Sequence, residues 1–70
     1  MNETKVNSLF RYEHLPPHLQ EASKPFHDHA MRLVQTLPPS AELTLALRTL
    51  WESKNLAVFA TMEANEKEVV

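Results

Sequence analysis

Seventy residues allow one small domain, and chains this short bury so little of their surface that staples or oligomerisation are often needed. With no cysteine the chain has no disulfide framework, thiolate metal site or cysteine nucleophile, and a net charge of −2 with scattered Lys and Arg gives a DNA or RNA polymer no electrostatic footprint. Glycine is absent and five prolines punctuate the chain, which disfavours the tight primed turns of an antiparallel sheet and points to an all-α fold.

Residues 1–8 are polar, lack an apolar signal core and are expected to be a disordered head. No stretch approaches the roughly 18 apolar residues of a membrane span, so a soluble, non-secreted protein without a membrane partner is expected. An arm follows with Phe10, Arg11, Tyr12 and His14. Pro16 and Pro17 suit the first turn of a helix, where their missing N–H groups have no acceptor anyway.

From there Leu19, Ala22, Phe26, Ala30, Leu33 and Leu37 recur at steps of three and four, which predicts a helix over 17–37. Pro25 removes one bond of that helix, so a kink, or a short helix followed by a longer one, is expected. Pro38-Pro39-Ser40 makes a tight break, and Ser40 is placed to cap a second helix over 40–64. Leu43, Ala46, Leu47, Leu50, Ala57, Ala60 and Ala64 form a stripe able to face the first helix, with Lys54 snorkelling from it. Residues 65–70 are charged and mixed and are expected to fray, which leaves 9–64 as arm plus helical-hairpin domain.

Leu45, Trp51, Leu56, Val58, Phe59 and Met62 lie outside that stripe, and one partner helix cannot cover both sets. Each large apolar side chain is worth roughly 1.5–3 kcal/mol when buried, so association of copies is the expected outcome. The alternative is that the N-terminal segment folds back over part of this surface. The expected architecture is a helical hairpin with an N-terminal arm, assembled as a homo-oligomer whose functional grooves lie between subunits.

Catalysis finds little support. His14 and His18 have the i, i+4 spacing of a metal pair, but two prolines separate them, and His27 and His29 point to different sides of a helix. Ser8, Ser23, Ser40 and Ser53 sit in no nucleophile elbow, and the paired carboxylates belong to the tail. No enzyme activity, metal or cofactor is expected. Tyr12, the only tyrosine, could stack on a base while Arg11, Lys24 or a protonated His27 meets phosphate. Phe10 and Tyr12 could equally pack on the hairpin, and His27 could be an ordinary half-exposed helix residue.

The ordered set Phe10-x-Tyr12, the Ala30 helix ending in Leu37-Pro38-Pro39-Ser40, and Glu42-x-Thr44-Leu45-Ala46-Leu47-x-x-Leu50 resembles a known family. It is similar to the helical-hairpin sponges that phages use against CBASS immunity, whose hairpin is shared with sponges acting against Thoeris. The resemblance covers about residues 9–61. It implies a homo-oligomer, typically a hexamer, that binds cyclic dinucleotides such as cGAMP, or cyclic trinucleotides, and withholds them from effectors in the cytoplasm of the infected bacterium. In such sponges an arm tyrosine stacks on a base and a lysine fifteen residues later contacts the ligand.

Tyr12 matches the tyrosine. His27 stands where the lysine is expected, so a cationic contact there requires a protonated imidazole, or Lys24 from one turn earlier. The arginine that some members use for cyclic trinucleotides has no counterpart after Arg48, where the basic residues are Lys54 and Lys67. From another class, the alternative is a small oligomeric adaptor that binds a host protein through its apolar face. A hairpin without a ligand is the third reading.

Overall fold

A computed structural model describes the backbone of residues 1–69 and the side chains of residues 1–66. Among them the chain forms three helices, α1 (Glu3–Leu9), α2 (Pro17–Thr36) and α3 (Ala41–Val69). At a rise of about 1.5 Å per residue α3 spans about 44 Å, which accounts for the long dimension of 47 Å.

α2 starts as its prolines dictate, with Pro17 in the first turn and no side-chain cap. It runs unbroken through Pro25, so of the two outcomes expected there, a kink or a short helix followed by a longer one, the second is not formed. At the break, the Ser40 hydroxyl accepts the Leu43 N–H at 3.0 Å, the cap expected from the sequence. α3 returns antiparallel to α2, since Leu33 shares a groove with Leu43 and Ala46 near the break while Leu19 shares one with Val58 at the far end.

The core is Val6, Phe10, Ala30, Leu43 and Leu47, surrounded by half-buried Phe26, Leu33, Leu50 and Trp51. Two of its five members precede the hairpin. This corrects the reading of residues 1–8 as a disordered head. The Asn2 side chain accepts the Lys5 N–H at 2.8 Å and starts α1. Val6 and Phe10, four residues apart and fully buried, then dock it on the hairpin.

Further positions differ from expectation. Trp51 turns toward the core, because four residues after Leu47 it returns to nearly the same helical face. Ala46, Ala60 and Ala64 are exposed despite their place in the stripe. The segment 65–70, expected to fray, is helical to Val69, and Val70 lies outside the described residues. No proline or glycine stands after Ala64 to end α3 there. Of the outer apolar set, Leu45, Leu56, Phe59 and Met62 remain 64%, 69%, 62% and 41% exposed.

Candidate functional site

The arm is held rigidly enough to place Tyr12. Phe10 anchors one end in the core, and the Leu15 N–H donates to the Tyr12 carbonyl at 3.0 Å to close a turn. From the second turn of α2, the Gln20 amide donates to the Leu15 carbonyl at 2.7 Å and to that of Glu13 at 3.3 Å. Those two bonds pin the arm along α2. Tyr12 is thereby laid against His27, with ring centroids 5.2 Å apart and planes inclined at 66°, an edge-to-face contact of the kind aromatic quadrupoles favour.

His27 is 17% exposed in its side chain and bonded at both ring nitrogens. Nε2 lies 2.8 Å from Asn7 Oδ1 on α1, and Nδ1 lies 3.3 Å from Asp28 Oδ1. A neutral imidazole donates from one nitrogen only. Two oxygen neighbours therefore suit an imidazolium, or a neutral ring with the Asn7 amide turned to donate.

One turn earlier, Lys24 Nζ reaches Asp28 Oδ2 at 3.1 Å. The hydrogen bond from Lys24, and then that from His27, hold the Asp28 carboxyl below its ordinary value, and Asp28 in turn raises the Lys24 ammonium. Solvent screens an exposed pair of this kind, so a phosphate could readily draw Lys24 away from Asp28.

Three of the four residues singled out from the sequence, Tyr12, Lys24 and His27, are thus gathered on one side of α2. Arg11 is not among them and lines a separate cleft beside Lys54. Two members of the cluster escaped the sequence reading. Asp28 carried a signal, the i, i+4 spacing from Lys24, whereas Asn7 carried none, because its role depends on α1 docking. Among the described residues no group of three His, Asp or Glu side chains is placed to hold a metal ion, and no helix is long and apolar enough to cross a membrane.

No family model matches the chain, and neither a curated protein nor a solved structure does.

Proposed function

We propose that the protein is a non-catalytic sponge that binds cyclic oligonucleotide immune signals, cyclic dinucleotides foremost, and withholds them from CBASS effectors in the cytoplasm of an infected bacterium. The observation that carries this reading is the grouping of Tyr12 against His27, with Lys24 joined to His27 through their shared partner Asp28, which offers an aromatic ring and two nitrogen groups on one side of α2. Tyr12 stacks on a base, and Lys24 with a protonated His27 meets phosphate. Support for assembly comes from Leu45, Leu56, Phe59 and Met62, exposed along α3 in a chain with few other means of covering them. The copies form a homo-oligomer, a hexamer by the family resemblance, and the ligand is bound where subunits meet.

The same exposed band favours a second reading, an oligomeric adaptor that presents it to a host protein and has no small ligand. Melting curves with and without cyclic dinucleotide separate the two. A ligand at about 100 times its Kd stabilises the folded state by about 2.7 kcal/mol, and a sponge releases it unchanged on denaturation. An adaptor melts at the same temperature in both samples.

A further inference from the structure

On the side of the molecule lined by Arg11, the arm and the far half of α3 enclose a cleft of about 280 Å3. Three of its walls are basic, Arg11, His14 and Lys54, and no carboxylate lines it. In a chain of net charge −2 this is a local reversal of sign. Between them lie apolar side chains, Leu19, Val58 and Phe59 among them.

Neither Arg11 nor Lys54 has an ion pair among the described residues. The Glu13 carboxylate accepts the Tyr12 N–H at 3.3 Å and feels the Arg11 charge, but it does not line the cleft. Lys54 is half-buried, and burial lowers its ammonium below the ordinary lysine value. Its Nζ stands 5.9 Å from the centroid of the Trp51 ring. A ring face attracts a cation but leaves its charge uncompensated. A partly desolvated lysine facing an apolar cleft, with the Arg11 guanidinium and the His14 ring also lining it, is complementary to an anion that brings apolar surface with it.

The volume limits what that anion can be. Clefts for drug-sized ligands run from about 300 to 1,000 Å3, so this one suits a ligand smaller than a cyclic dinucleotide. We propose that it binds a small amphipathic anion, a carboxylate or phosphate monoester on a short apolar body, with Arg11, His14 and Lys54 at the head and Leu19 and Val58 against the body.

Trp51, the only tryptophan, reports on the site, because an anion that draws Lys54 toward it alters the contact with the indole. The test is a titration of Trp51 emission, paired with calorimetry, using octanoate, octyl phosphate, octanol and inorganic phosphate. Saturable binding of octanoate or octyl phosphate is expected, with octanol and inorganic phosphate each weaker by about ten-fold or more, the loss that follows removal of a charge-assisted contact or of the apolar body. Which of the two octyl anions binds tighter identifies the head group.

Lys54→Met, which keeps the stem, and Arg11→Gln on the exposed arm should each weaken the tighter anion by about ten-fold. Tyr12→Ala should leave it unchanged, which separates this cleft from the Tyr12 cluster and from the sponge reading. Octanol binding as tightly as octanoate would overturn the proposal by reducing the cleft to an apolar patch. So would no saturable response, the result expected if a second copy fills the cleft through Phe59, or full affinity in both charge variants.

Discussion

Asn7 Oδ1 lies 2.8 Å from His27 Nε2 and ties α1 to the middle of α2, across twenty residues of sequence. The bond makes the N-terminal segment part of the candidate site. It also leaves His27 fully partnered, since Asp28 holds the other nitrogen. A ligand phosphate meeting this imidazole must displace Asn7 or Asp28, or approach beside them. Asn7 and His27 therefore set, between them, how open the face beneath Tyr12 is.

The docking of α1 rests on Val6, which is fully buried in the core. Val6→Ala should destabilise the protein by on the order of 2 kcal/mol, through lost apolar burial plus the space left behind. Amide exchange over 3–9 should speed up in step. Unchanged stability with free exchange in the wild type would return this segment to the disordered head that its polar sequence suggests.

Ser23 is fully buried on α2, and its hydroxyl has no hydrogen-bond partner among the described residues. A buried hydroxyl without a partner costs about 1–3 kcal/mol in mutational data. Ser23→Ala should therefore stabilise the fold by about 1 kcal/mol, or about 4–8 °C in Tm for a domain of this size. Ser53→Ala, at an exposed position of α3, supplies the gain from helix propensity alone. A Ser23→Ala gain no larger than that of Ser53→Ala would mean that the hydroxyl is satisfied in solution.

The hairpin itself was legible in the sequence because apolar periodicity, the prolines and Ser40 all agree on it. Leu43, Leu47 and Ala30 fall in the core as their spacing requires. α1 was not legible, since a seven-residue helix with one buried side chain has no periodicity to read and owes its order to tertiary contact. Trp51 was assigned to the outer face for a related reason. On a helix with apolar residues on several sides, the pattern does not say which stripe the partner covers. That Tyr12 rests against His27 was not legible, because the residues alone allowed Tyr12 to pack anywhere on the hairpin and the family resemblance implied only that each meets the ligand. That Arg11 faces another cleft depends on the path of the arm, set by Gln20 and the turn at Tyr12.

Leu56 and Phe59 are the most exposed large apolar residues of the distal half of α3, at 69% and 62%. If this band joins copies, Leu56→Glu or Phe59→Glu should dissociate the assembly while leaving helix content within a few per cent of wild type, because neither side chain supports the core. Light scattering and circular dichroism read the two effects. Unchanged particle size in both variants would remove this band from the interface.

Acid should weaken the Lys24–Asp28–His27 cluster in a defined window. The Asp28 carboxyl is held below its ordinary value by Lys24 and then by His27, so the folded protein binds its proton less readily than the unfolded chain. Its contribution is fully present above the ordinary aspartate value of about 3.9 and is lost as pH falls through the folded value below it. The exposure of the pair keeps the effect small. Urea midpoints of wild type and Asp28→Asn should differ at neutral pH and converge below about pH 4. A gap that persists unchanged into acid would show that Asp28 acts through something other than its charge.

Whether the Tyr12 cluster holds a cyclic nucleotide decides between the two functional readings. Calorimetric titration with a panel of cyclic di- and trinucleotides, on wild type and Tyr12→Ala at pH 6 and pH 8, tests it directly. A sponge binds at least one cyclic dinucleotide saturably, loses it in Tyr12→Ala, binds more tightly at pH 6 than at pH 8, and yields it intact on denaturation. No heat with any ligand, from a folded and oligomeric protein, would contradict the sponge and leave the apolar band of α3 as the functional surface of an adaptor.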